Sequence, residues 1–136
     1  MIAKALGARV QRNAVKEIGW YDVDLTDAAA SDAVFAGVDR KLRVLQWHGE
    51  TFDLPEGATL LATSPACRNQ AFRVGRSVYG IQFHCEVTPD MIADWSLEDA
   101  NCGDVRELEG PIDPGLHVEH LKALTGTLFG RWLGLR

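Results

Sequence analysis

The sequence predicts an α/β domain, and three observations carry that prediction. Apolar and polar residues alternate through the middle of the chain, apolar residues fall at helical spacing at both ends, and 46% of the 136 residues are apolar against 24% charged. This composition excludes intrinsic disorder, which needs few apolar residues and a large net charge. The 13 glycines and 5 prolines follow no period, so collagen-like and low-complexity chains are excluded as well. The length fits one domain with one core. With 14 basic and 19 acidic residues the net charge is −5. That leaves no basic field for a phosphate backbone, so nucleic acid is not an expected partner. Cys67, Cys85 and Cys102 show neither CxxC spacing nor the density of a disulfide framework and read as reduced thiols. No apolar run approaches the roughly 18 residues of a membrane helix, and no signal-peptide pattern opens the chain. A soluble, cytoplasmic protein without membrane contact is expected.

The elements follow in order. Residues 1–7 read as the end of a helix, with Ile2, Ala3, Ala5 and Leu6 at helical spacing, Gly7 as C-cap and no N-cap residue before them. Arg9–Arg12 and Ile18–Leu25 alternate as strands. Ala28–Phe35 reads as a short helix capped by Thr26 or Asp27. Leu42–Trp47 is a strand that His48 and Gly49 end, and Thr59–Ser64 is another. Gln70–Val74 and Val78–Phe83 flank Gly75-Arg76-Ser77 as a hairpin. Thr88 caps a helix with Pro89 at its first position. Asn101–Pro114 is a polar loop. His117–Leu133 is a closing helix striped by Val118, Leu121, Leu124, Leu128, Trp132 and Leu133. About six short strands result, with no internal repeat and no second domain.

The densest chemistry lies in Tyr79-Gly-Ile-Gln-Phe-His84-Cys-Glu86-Val-Thr-Pro89. A strand ends in a histidine, and a carboxylate two residues later points the same way in an extended chain. A carboxylate that accepts the imidazole N–H fixes the ring's tautomer, which is the orienting half of a nucleophile–His–acid triad. A satisfied histidine in a helix-capping segment accounts for the same spacing.

This stretch resembles the C-terminal signature of the class I glutamine amidotransferases, a strand running into His-Pro-Glu and then a helix. Glu17-Ile-Gly-Trp20, Trp47-His-Gly-Glu-Thr-Phe-Asp-Leu-Pro55 and Ala66-Cys-Arg-Asn-Gln-Ala-Phe72 are similar to that family too, particularly to amidotransferase-like proteins related to the glutaminase domain of GMP synthase. The resemblance covers roughly residues 1–95. It implies a cysteine that attacks the side-chain amide of glutamine, a γ-glutamyl thioester and released ammonia, with His84 as base and Glu86 as its orienting acid. It also implies that the backbone of the Trp47-His48-Gly49 segment helps hold the amino-acid end of the glutamine; a strand-ending turn is the other reading of His48. The implied fold is a flavodoxin-like sandwich. Of that fold the chain holds the C-terminal half, with an antiparallel strand section and a closing helix. Residues 1–95 make the amidotransferase-like portion, and residues 96–136 make the loop and amphipathic helix of the same domain.

In the family the nucleophile sits on a Gly-x-Cys-x-Gly-x-Gln elbow, and the helix after it resembles Met1-Ile-Ala-Lys-Ala-Leu-Gly-Ala8. The resemblance therefore places the nucleophile just before Met1. None of the three cysteines follows a strand and opens a helix, as an elbow thiol does. Cys67 lies in a motif that carries cysteine without nucleophilic duty, and Cys102 lies in the polar loop. Cys85 takes the place of the family's proline and is expected to point away from His84 and Glu86. That exchange relaxes the restraint proline puts on His84.

His117 and His120 share a helix face, but no third ligand at fixed spacing accompanies them, so a solvated helix start is preferred to a metal site. Asp22, Asp24 and Asp27 lack the Gly and distal Glu of an EF-hand. Arg131 and Arg136 suit a helix C-terminus. No metal or cofactor is expected. A half-domain is expected to leave unpaired strand edges and an apolar patch, and either to be poorly soluble alone or to associate with itself or with a separately encoded N-terminal half. Three functions stand open: a glutaminase lacking its nucleophile, a non-catalytic binding or regulatory domain on the same scaffold, and an inactive truncated product.

Overall fold

A computed structural model describes residues 1–108 and 110–135. Five strands form one sheet in the order β2-β1-β3-β4-β5, and every pairing among the described residues is antiparallel. They are β1 (Val10–Leu25), β2 (Lys41–Phe52), β3 (Ala58–Thr63), β4 (Ala71–Val74) and β5 (Val78–Ile81). Helix α1 (Ile2–Ala5) precedes them, and α2 (Pro89–Leu97), α3 (Cys102–Arg106) and α4 (Val118–Leu133) follow. The antiparallel section and the closing helix expected from the sequence are both present.

Helix α1 ends as anticipated. Gly7 takes φ +82, and the N–H groups of Gly7 and Ala8 close on the carbonyls of Lys4 and Ala3. The two strands expected on either side of residues 13–17 are one 16-residue strand. Arg12 pairs with Glu50 and Glu17 with His48, so four residues of β1 stand opposite Gly49 alone. This bulge breaks the alternation and hides the strand's continuity. The predicted helix at 28–35 is a 3₁₀ turn, Asp27–Ser31, preceded by Thr26 without a side-chain cap. Asp32 holds the following turn, accepting from Val34 N–H, Phe35 N–H, Arg73 Nε and the Tyr79 hydroxyl. Strand β2 does not stop at His48 but runs on to Phe52. The expected loop at 101–114 contains α3, so Cys102 opens a five-residue helix.

The larger core lies between the sheet and helices α2 and α4. Val23, Leu25, Val44, Leu45, Leu61 and Ala71 meet Phe83, Ile92, Leu121, Leu124 and Leu128. Of the stripe expected on α4, Leu121, Leu124 and Leu128 are buried, whereas Trp132 and Leu133 in the last turn are exposed. A second cluster joins Ala3 of α1 to Phe52 and Phe72. Ala71 and Phe72 are adjacent in β4 and go to different clusters, as strand alternation requires.

After β5 the chain crosses the open side of the sheet. Gln82 N–H still bonds the Gln70 carbonyl, but two residues later His84 exchanges backbone bonds with Leu45 of β2, at 2.8 and 3.2 Å. The opposite edges of the sheet are drawn together into a half-barrel. Among the described residues no helix is long and apolar enough to cross a membrane.

Candidate active site

The bridge to Leu45 fixes the backbone of His84. Its ring is then held on two sides. Nδ1 lies 2.8 Å from Glu86 Oε1, and the ring meets Trp95 edge-on at 5.1 Å between centroids. Trp95 comes from α2, whose start is set locally. Thr88 Oγ1 accepts from Met91 N–H at 3.3 Å, and Pro89 occupies the first turn. Ile92, one turn before Trp95, is buried in the core and anchors that face of the helix. Trp95 in turn packs edge-on against Trp47 of β2, at 5.7 Å.

Glu86 Oε2 accepts the N–H of Cys85 at 3.0 Å. Burial by itself would raise this carboxyl. The hydrogen bond from His84, the nearby backbone N–H groups and the charge of the ring outweigh burial and hold it below its ordinary value. A proline at position 85 has no N–H to give, so the cysteine adds a bond that steadies Glu86. The thiol itself points into the core, and burial pushes it up to about 11. At neutral pH it stays protonated. Both His84 and Glu86 border a cavity of about 350 Å³ whose walls include Ile2 of α1, Phe83, Phe129 and Trp132. The imidazole is thus not sunk in hydrocarbon (its side chain is 27% exposed) and it shares a cavity with the first helix.

The Trp47-His48-Gly49 segment does not converge on His84 as a unit. Trp47 does, with Trp95 and His84 lining a smaller cavity of about 200 Å³ beside Glu98 and Asn101. His48 lies on the other side of the strand, where its Nε2 is 3.1 Å from Glu17 Oε2. Gly49 faces the bulge and packs on Lys16, with 3.1 Å between Lys16 Cγ and the place a Cβ would take.

His48 and Glu17 belong to a buried polar cluster that sequence reasoning did not assemble. Ser64 Oγ donates to Glu17 Oε1 at 3.1 Å, and Gln70 Nε2 donates to Glu17 Oε2 at 3.0 Å. The N–H of Cys67 donates to Ser64 Oγ, and its Sγ lies 3.2 Å from Thr51 Oγ1. Burial, the largest effect, raises the Cys67 thiol against the lowering influence of its hydrogen bonds. Each of the three motifs quoted from the sequence outside residues 79–89 supplies a member, so those motifs were the available signal.

The remaining candidates have other partners. The His117 ring packs edge-on against Trp20 at 5.1 Å, and its backbone opens α4 with φ +62. Among the described residues, the group of three metal-capable side chains close to one another is Glu17, His48 and Cys67, and it includes neither His117 nor His120. Asp22, Asp24 and Asp27 pair with Arg43, Lys41 and Arg40. Arg131 does more than suit the helix end, because its guanidinium donates to the carbonyls of Val34 and Ala36. Arg136 lies outside the described residues.

The family model for glutamine amidotransferase class-I matches residues 1–98. The glutamine amidotransferase-like protein YfeJ of Salmonella typhimurium is 38% identical over 92 residues, which are 68% of this chain and 38% of that protein. The glutamine-hydrolyzing GMP synthase of Acinetobacter baylyi is 31% identical over 132 residues, covering 92% of this chain and 24% of the synthase. Among solved structures, a glutamine amidotransferase from Thermotoga maritima superposes with a TM-score of 0.80 at 35% identity, over 96% of this chain and 57% of that one. The chain thus spans less than half the length of these curated relatives. It belongs to the class I glutamine amidotransferases.

Proposed function

We propose that these 136 residues carry the base and the orienting acid of a glutaminase, and that the thiol they activate lies on a Gly-x-Cys-x-Gly-x-Gln elbow outside them. The observation that carries this reading is the His84–Glu86 pair, opening on a cavity that α1 also lines. Glu86 engages Nδ1, so Nδ1 bears the proton and the lone pair of Nε2 is left to serve as base. A thiol brought to Nε2 gives up its proton and attacks the side-chain amide of glutamine. The imidazolium then protonates the departing ammonia, and water assisted by the same ring releases glutamate from the thioester. Cys67, Cys85 and Cys102 are poor substitutes: the first two are buried, and among the described residues no sulfur is hydrogen-bonded to His84. Residues 1–95 carry the amidotransferase-like portion and residues 96–136 complete the same domain. Glutamine is the substrate, Trp47 the member of the 47–49 segment nearest the base, and the cytoplasm the compartment.

The test is ammonia release from glutamine. The chain alone is expected to give none, and addition of a polypeptide carrying the elbow and the strands before it is expected to restore it. In the restored enzyme His84→Ala removes the base, at a cost of roughly 10²–10⁴ in kcat. Full turnover in that variant would overturn the assignment. Glutamine binding by the reconstituted protein without turnover would establish the non-catalytic scaffold instead.

A further inference from the structure

We propose that Glu17, His48 and Cys67 form a binding site for one divalent cation of borderline softness, zinc foremost, inside the sheet and separate from His84. The carboxylate oxygen, imidazole nitrogen and sulfur all lie within 4.8 Å of one another. Glu17 and Cys67 are 1% and 2% exposed. The site does not depend on the glutaminase reading.

The tautomer of His48 makes the case. Its Nδ1 is 2.9 Å from the carbonyl oxygen of Glu50, which only accepts, so Nδ1 carries a hydrogen. In the neutral ring Nε2 is then a bare lone pair. It faces Glu17 Oε2 at 3.1 Å, an oxygen that already accepts from Gln70. Two acceptors facing each other away from water repel, and a positive charge belongs between them. A proton on Nε2 would satisfy those two groups and leave the sulfur to Thr51 Oγ1 and the Asn69 carbonyl. A metal ion serves all three.

The surroundings suit a metal. An N–H of the ligating imidazole tied to a backbone carbonyl is the outer-shell bond that orients metal-bound histidines. Ser64 and Gln70 hold the carboxylate in the same manner, and Thr51 Oγ1 stands beside the sulfur as a donor to a thiolate. Zinc bonds of about 2.0–2.3 Å in a tetrahedron separate ligand atoms by about 3.3–3.7 Å. The nitrogen–oxygen pair, at 3.1 Å, is close to that spacing, and the sulfur, within 4.8 Å of both, closes by roughly 1 Å on binding. Carboxylate and thiolate together neutralise a 2+ ion, so no net charge is buried. Binding displaces the thiol proton, and affinity therefore rises with pH.

Cobalt(II) titration of the full chain tests the proposal, since a thiolate ligand gives an intense near-ultraviolet charge-transfer band. One equivalent is expected to bind with that band and to be displaced by zinc. Cys67→Ser should abolish the band, and Cys102→Ser should leave it unchanged. His48→Gln should weaken binding by at least the roughly 10–100-fold that loss of an outer-shell partner costs. A band that follows Cys102 overturns the proposal. So does a wild-type chain that takes up neither metal, a result that needs no variant to fold. In that event nitrogen-15 shifts showing both ring nitrogens of His48 protonated would identify a proton as the occupant.

Discussion

His84 and Glu86 are joined by a bond of 2.8 Å between near neighbours, and the consequence is read in acid. Glu86 ionises below the ordinary carboxylate value of 4.5 in the folded chain. The unfolded chain therefore holds this proton more tightly, and stability gained from Glu86 is fully present above the unfolded value. It is lost as pH falls through the lowered folded value. Melting temperatures of the wild type and Glu86→Gln should differ just above the unfolded carboxylate value and converge as pH falls below it through the lowered folded value. Curves that stay parallel to the lowest pH would show that the carboxylate is not held by the ring. This pair was legible in the sequence because two residues so close along the chain reach one another without help from the rest of the fold. The Glu17 cluster was not, because its members come from β1, β2 and the connection between β3 and β4, which only the folded sheet brings together.

Elements were legible where a local rule acts alone. Thr88-Pro89 opens α2 and Gly7 ends α1, each by bonds made within a few residues. The reading failed at β1, where the bulge opposite Gly49 interrupts alternation, and at β2, which continues past His48 because β1 still pairs with it. Neither partner is visible from its own segment. Close packing between β4 and β5 gives an element-scale prediction. A Cβ built on Gly80 would come within 2.2 Å of the Phe72 ring, which is buried in the cluster with Phe52 and Ala3. Gly80→Ala forces that ring aside and should cost about 1–3 kcal/mol. Denaturant unfolding measures this, and an unchanged midpoint would show that the ring moves freely.

At the scale of the molecule, the sheet is curled and its helices cover it unevenly. Leu97 is 79% and Leu133 75% exposed, with Phe129 and Trp132 about half as open on the same closing helix as Leu133. Surfaces of this kind favour association. The 136-residue chain is expected to sediment above its 14.9 kDa monomer mass, increasingly so with concentration, and Leu133→Lys should reduce the effect. A monodisperse monomer with one cooperative melt would refute that expectation. The sequence indicated the class of fold and the closing helix, since composition and periodicity determine those. It did not indicate the curl, across which the long-range bridge joins Leu45 to His84.

That bridge ties one backbone amide to the whole architecture. The N–H of His84 reaches the Leu45 carbonyl at 2.8 Å across the mouth of the half-barrel. Deuterium should enter at this position only when the curl springs open, even though the imidazole attached to it meets solvent. A protection factor at residue 84 matching those of central β2 amides would mean that the ring's aim survives every fluctuation short of global unfolding; rapid labelling would mean that it is lost and regained many times in the life of the fold.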